Sequence, residues 1–147
     1  MRANQRATAI VDDLASELMG INQTDGRALD LLDQHGRMSA GELARASGLS
    51  TGAVTAVVDR LERSGYAQRV PDPQDRRRVL VEMTAKAKAT TEELFGPLAD
   101  SAWPLLERWT DEQLEMLLEF LRLSRGVQEQ HANWLRERLE DNAGGPA

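Results

Sequence analysis

The stretch from Ser39 to Met83, SAGELARASGLSTGAVTAVVDRLERSGYAQRVPDPQDRRRVLVEM, leaves the chain few folds to choose from. Two short amphipathic helices, a glycine turn and a basic hairpin follow one another without a gap. Ser39-Ala40-Gly41-Glu42 sets a hydroxyl three residues before a carboxylate, a capping box that opens a helix through Ser47 with Leu43, Ala44 and Ala46 inside. Gly48-Leu49 makes the turn, and Ser50 caps a second helix running to about Ser64. A small residue at Ala44 lets the helices cross closely, Gly48 permits a positive φ, and Val54 packs the second helix back on the first. A glycine-turned pair of helices occurs in many all-α proteins, so the outer face of the second helix has to decide what this one is for.

At 100° per residue, Val54, Val57, Val58 and Leu61 share one face and call for burial. The opposite face presents Gly52, Thr55, Ala56, Asp59, Arg60 and Arg63, with Ala53 at its edge. A surface helix with only a structural role more often carries Lys and Glu there. Small residues over two turns allow close approach to the floor of a major groove, where Thr and Ala methyls can meet thymine methyls. Arg60 is placed to reach a guanine edge and Arg63 a phosphate, while Ser50 and Thr51 sit at a helix start suited to a phosphate. Ser39 caps the preceding helix and is a further candidate near phosphate. Asp59 departs from an attractive surface; it orients Arg60 or Arg63, or rejects some sequences.

Tyr66–Val70 reads as a strand, residues 71–75 as a Pro/Asp turn, and Val79–Met83 as a second strand. Arg76, Arg77 and Arg78 lie near the tip. A basic hairpin after such a helix is the wing of a winged helix, and an Arg there can enter an electronegative minor groove. Asp72 and Asp75 are expected to hold the arginines extended. A solvated loop is the bland alternative.

The flanks read as acidic, Leu-rich helix. Residues 4–19 fit one helix with Val11, Leu14 and Leu18 on a narrow apolar stripe, closed by Gly20. A second starts at Thr24 or Asp25 as cap, carries Ala28, Leu29, Leu31 and Leu32, and closes at His35-Gly36. Thr84 to about Trp109 is helical in character, with Gly96-Pro97 and Trp103-Pro104 expected to kink or end it locally. Thr110-Asp111-Glu112-Gln113 is another capping box. It opens a helix in which Leu114, Leu117, Leu118 and Leu121 belong to more than one apolar stripe, with a bend expected at Gly126. A helix apolar most of the way round needs more partners than a short chain supplies, so these residues point to a second subunit. Phe95, Trp103, Trp109 and Trp134 are candidates to line an aromatic ligand pocket between scaffold and DNA-binding lobe, with core or interface packing as the alternative.

Charge decides whether an acidic chain can bind nucleic acid at all. The net charge is −6, yet residues 1–35 sum to −3, residues 36–88 to +4 and residues 89–147 to −7. A basic centre between acidic flanks is the footprint of a DNA-reading module on an acidic scaffold. No cysteine is present, and the two His are far apart, His35 reading as a cap and His131 as a surface residue, so no metal or cofactor is expected. No nucleophile–base pair, phosphate loop or metal cluster marks an enzyme, and no catalytic residue is assigned. No apolar run approaches the ~20 residues of a membrane helix and the N-terminus lacks a signal core, so the expectation is cytoplasmic with no membrane partner.

Taken together, Gly48-Leu-Ser-x-Gly-x-Val-Thr, Val58-Asp-Arg-Leu-Glu-Arg-Ser-Gly-Tyr and Asp72-Pro-Gln-Asp-Arg-Arg-Arg-Val-Leu-Val resemble the MarR-type (multiple antibiotic resistance regulator) transcription factors over about residues 24–90. The resemblance implies that the helix Ser50–Ser64 enters the major groove, that Arg77 enters the minor groove and that Asp75 braces it. It implies a homodimer on a pseudopalindromic double-stranded DNA operator, built by terminal helices from both ends of the chain, and a repressor released by a small phenolic or other aromatic effector. Two departures stand out. The N-terminal helix starts almost at Met1, which would alter the dimer interface, and Met83-Thr84-Ala85-Lys86-Ala87 replaces the family's usual Leu-Thr-x-x-Gly.

The fold expected is therefore mainly α with a small β-hairpin wing (α+β), a winged helix-turn-helix inserted between N- and C-terminal dimerisation helices. Residues 1–23 form the N-terminal dimerisation helix, 24–88 the DNA-binding domain, 89–141 the C-terminal dimerisation helices and 142–147 a disordered tail. The alternative function is a winged-helix protein-interaction module without specific DNA binding; such a module would need neither three wing arginines nor a recognition face of small residues.

Overall fold

The computed structural model describes residues 2–143. In chain order the elements are α1 (Arg2–Met19), α2 (Gln23–His35), β1 (Met38–Ser39), α3 (Ala40–Ser47), α4 (Thr51–Arg63), β2 (Ala67–Pro71), β3 (Val79–Met83), α5 (Ala85–Leu106) and α6 (Asp111–Ala143). The chain divides after Leu98 into two compact units.

The first unit holds the core. Leu32 on α2, Leu43 on α3, Val54, Val57, Val58 and Leu61 on α4, Val81 on β3 and Ala87 on α5 bury against one another. Each of the large ones contributes about 1.5–3 kcal/mol by leaving water. Their spacing on α4 is the apolar face that periodicity expects, so packing and propensity agree there. The sheet is antiparallel in the order β1-β3-β2, with Met38 opposite Val81 and Ala67 opposite Met83. Thus Met38–Ser39 adds a third strand to the hairpin, and Tyr66 precedes β2 rather than starting it.

The turns follow local chemistry. Gly48 sits at φ 71°, in the left-handed region that a glycine enters at little cost, and its N–H bonds the Ala44 carbonyl to end α3. Gly36 ends α2 at φ 74° with its N–H on the Leu32 carbonyl. The α2 start is a correction: Asn22, not Thr24 or Asp25, is the cap, its side chain accepting from the Asp25 N–H at 2.9 Å. Thr84 caps α5 by accepting from the Ala87 N–H at 3.1 Å, and Ala87 is completely buried where the family resemblance leads one to expect glycine.

At the prolines the helix does not end. α5 runs without a break from Ala85 to Leu106 through Gly96-Pro97 and Trp103-Pro104. A proline deletes one donor from the helical ladder, and the neighbouring bonds on either side carry the helix past it.

In the second unit Thr110 and Gln113 form the expected reciprocal cap, with Thr110 N–H to Gln113 Oε1 at 2.9 Å and Gln113 N–H to Thr110 Oγ1 at 3.3 Å. The 33-residue α6 then passes through Gly126 unbroken and takes in Asn142, which the sequence places in a tail. Residues 144–147 of that tail lie outside the described residues. Met116, Leu118, Phe120, Leu121, Leu123 and Val127 on α6 are all exposed. Among the described residues no helix is long and apolar enough to cross a membrane.

Candidate nucleic-acid interface

The outer surface of α4 is as sparse as its sequence implies. Thr51, Gly52, Thr55 and Ala56 are exposed and Ala53 is half-buried, over a floor of buried Val54, Val57 and Val58. Ser50 accepts from the Ala53 N–H at 3.3 Å, so its own proton remains available at the helix start. Thr55 donates to the Thr51 carbonyl at 3.0 Å, which spends its proton inside the helix and leaves a methyl group and lone pairs outward. A Cβ built on Gly52 meets nothing within 4 Å. Nothing in the chain therefore requires glycine at a helical position where it costs stability.

Arg60 stands differently from its expected place at a base edge. Its Nε donates to Asp25 at 3.0 and 3.2 Å and its Nη2 to Asp25 Oδ1 at 2.6 Å, a forked pair to a carboxylate whose side chain is 3% exposed. Asp25 also raises the guanidinium pKa by accepting those bonds. Arg60 anchors α4 to α2 and is held there, because a buried carboxylate stripped of its partner is costly.

Asp59 also has a partner other than those expected. Its Oδ1 accepts from Arg69 Nη2 on β2 at 2.7 Å, and Arg69 binds Glu62 as well. Asp59 chiefly, with Glu62, holds the Arg69 pKa up. The negative charge on the outer face is thereby neutralised from behind. Arg63 donates only to the Asp59 backbone carbonyl, at 3.2 Å, and its charge stays unpaired among the described residues.

The wing loop is built by aspartates acting on the backbone. Asp72 is buried and accepts from the Gln74 N–H at 2.8 Å, while its own N–H bonds the Arg78 carbonyl. Asp75 accepts from the Arg77 backbone N–H at 3.0 Å, and its carbonyl accepts from the Arg78 N–H. Asp75 thus holds Arg77 through its backbone N–H, and among the described residues it makes no ion pair with the guanidinium. Arg78 is drawn inward, 3.7 Å from Asp72 and 3.8 Å from Glu42. Arg76 and Arg77 are exposed and make no ion pair among the described residues. Of the three wing arginines, two are free.

Ser39 is also occupied. Its hydroxyl donates to Glu42 Oε2 at 2.6 Å and accepts from the Glu42 N–H at 3.3 Å, so no proton is left for a phosphate. These bonds from Ser39, with Arg78 and Arg45 nearby, hold the Glu42 carboxyl below the ordinary carboxylate range. Arg45, exposed on α3 and unpaired among the described residues, belongs with the free cations. It escaped the sequence reading because a lone Arg on a short helix carries no pattern.

The apolar residues assigned to a subunit contact stand open as well. Leu14 and Leu18 on α1 and Leu118 and Leu121 on α6 are at least half exposed, Val11 and Leu117 slightly less, and Leu114 is half-buried. The ligand-pocket expectation fares less well. Phe95 lines a cleft in the first unit, but Trp103, Trp109 and Trp134 are exposed and none lines it. Trp134 stacks on His131 instead, ring centroids 5.3 Å apart, with Arg138 over it.

Comparison with known proteins closes on the same region. The MarR family model matches residues 21–79, from just before α2 to the start of β3. A Bacillus subtilis (strain 168) protein, the uncharacterised HTH-type transcriptional regulator YcgE, is 38% identical over 130 residues, covering 88% of this chain and 84% of its own. The crystal structure of the transcriptional regulator PA4135 is 27% identical with a TM-score of 0.60, covering 85% of this chain and 92% of the other. A mutant of E. coli MarR complexed with operator DNA superposes with a TM-score of 0.52 at 24% identity, over 84% of this chain and 91% of the other, a likeness of fold.

Proposed function

The chain belongs to the MarR family of HTH-type transcriptional regulators, and on that premise we propose that it is a homodimeric repressor that binds a pseudopalindromic double-stranded DNA operator and is released by a small ligand. The observation that carries the reading is the outward face of α4: Thr51, Gly52, Ala53, Thr55 and Ala56 present no long side chain over two turns. Such a surface reaches base edges at van der Waals distance. Arg63, Arg76 and Arg77 are the cations left free to meet phosphate or enter a minor groove, and Ser50 and Thr51 add donors at the helix start. The related MarR mutant was solved on operator DNA, and its fold supports the same docking here.

The exposed apolar rows of α1 and α6 support pairing of two copies, since Leu14, Leu18, Leu118 and Leu121 gain nothing in water. A two-fold dimer reads half-sites about 10 bp apart, one helical turn. The domain division follows: α1 and α6 join the copies, and residues 24–88 read DNA. Selection of bound duplexes from random sequence, followed by sedimentation of the complex, tests this. Two protomers on a two-fold symmetric site are expected; a monomer bound without sequence preference would overturn it and favour the protein-interaction alternative.

A further inference from the structure

Asp59 is the one acidic side chain in the middle of the outward face of α4. At about 100° per residue it lies within about 20° of Gly52, between Thr55 and Ala56 around the helix. Glu62, the other acid of α4, lies farther round, on the flank that meets Arg69. Asp59 stands about 10 Å along the axis from Gly52, which is within the roughly 12 Å width of a major groove. A carboxylate at the centre of a face that meets a polyanion lowers the attraction, so its presence calls for a role.

Its surroundings fix the carboxylate and leave half of it open. Oδ1 accepts from Arg69 Nη2 at 2.7 Å, while Oδ2 makes no hydrogen bond among the described residues. The side chain is 51% exposed. Arg63, one turn on, donates to the Asp59 backbone carbonyl and not to the carboxylate. Arg69 is held in turn by Glu62, which accepts the Arg69 backbone N–H at 3.0 Å and pairs with its Nη1. Glu62 alone therefore ties α4 to β2 through two bonds. Asp59 is not needed for that link, and the ion pair it adds is too exposed to contribute much to stability. What the arrangement supplies is an oriented acceptor whose charge is already matched. Arg69 offsets the repulsion from phosphates and removes the side-chain freedom that a lone Asp would lose on docking.

We propose that Asp59 is a specificity-determining residue: its Oδ2 accepts from the exocyclic amino group of a cytosine in the major groove, with Arg69 as the positioning residue behind it. In that groove cytosine presents the N4 donor alone. Guanine presents N7 and O6 and thymine O4, all acceptors that repel a carboxylate, and adenine sets its N7 acceptor beside the N6 donor. Cytosine is thus the base that suits a single carboxylate oxygen. The assignment rests on the docking of α4 in the major groove put forward above.

The test is selection of bound duplexes from random sequence with the full chain and with Asp59→Ala. Anisotropy titrations follow on the selected duplex and on duplexes carrying each other base pair at the affected position. The parent is expected to enrich cytosine at one position of each half-site. It should bind about fivefold more weakly with another pair there, the low end for a base contact because a single hydrogen bond makes it. Asp59→Ala is expected to lose that preference, keep the rest of the motif, and bind a non-specific duplex at least as tightly as the parent. Arg69→Gln should weaken binding to every duplex, and adding Asp59→Ala to it should restore the parent's non-specific affinity. Neither a direct phosphate contact by Arg69 nor a merely structural role would allow that rescue. Thermal melts show which variants are folded, and Asp59→Ala carries the test if Arg69→Gln is not. A motif that Asp59→Ala leaves unchanged, or an Asp59-dependent preference for a base other than cytosine, overturns the proposal and leaves the docking reading intact. Folded variants without the rescue overturn the positioning role of Arg69. A parent with no sequence preference at all overturns the docking reading itself, and this assignment with it.

Discussion

Gly52 gives two effects of opposite sign from one substitution. It is the second residue of α4, exposed, and a Cβ there meets nothing within 4 Å. Replacing an exposed helical glycine by alanine stabilises a helix by about 0.5–1 kcal/mol, and the lower end applies so near the helix start. For a chain of this size that raises Tm by roughly 1–3 °C. On DNA the same methyl stands where the helix approaches the base edges. Forcing added atoms into a close-packed contact costs about 1–3 kcal/mol, roughly a five- to hundredfold loss of operator affinity, with Gly52→Leu worse than Gly52→Ala. The assay pairs a thermal melt with fluorescence anisotropy on a selected duplex. A Gly52→Leu variant that binds as tightly as the parent would refute the groove-facing assignment. A fall in Tm for Gly52→Ala would show that the chain itself needs the glycine.

Arg77→Ala is expected to weaken operator binding while leaving the melt unchanged, and to reduce the slope of log affinity against log salt by about 1, one phosphate-equivalent contact; an unchanged slope would remove Arg77 from the interface. Arg60→Ala should lower Tm more than Asp25→Ala, because it strands a buried carboxylate whereas the reverse leaves an arginine able to turn to solvent; the opposite order in thermal melts would contradict the anchoring role. The Glu42 carboxyl has a lowered folded pKa, so its contribution is present above the unfolded carboxylate value and is lost as pH falls through the lowered one. Melts from pH 7 down to the acid range should therefore show a steeper loss for the parent than for Glu42→Gln, and parallel curves would refute the coupling.

What was legible in the sequence was local. The Ser39–Glu42 box, the Gly48 turn, the buried face of α4 and the strand Val79–Met83 each depend on residues a few positions apart, and each stands where its pattern puts it. The corrections involve partners distant in the chain. Arg60 and Asp25 are 35 residues apart and Asp59 and Arg69 ten; no periodicity marks which carboxylate a guanidinium will find. Asp25 looked like a cap because acidic residues favour helix starts, but Asn22 three residues earlier satisfied that N–H and left Asp25 to turn inward. The wing aspartates were legible as partners of the arginines, but that Asp72 and Asp75 hold backbone N–H groups depends on the turn geometry.

Groove-specific footprinting on a selected operator tests the central claim most directly, that the small-residue face of α4 and the free wing arginines meet DNA. Dimethyl sulphate reports guanine N7 in the major groove and hydroxyl radical reports the minor-groove edge of the backbone. The account predicts two major-groove protections about one helical turn apart, each flanked by a minor-groove protection that Arg77→Ala removes while the major-groove pattern persists. Absence of major-groove protection, or its loss in Arg77→Ala with the minor-groove signal retained, would contradict it.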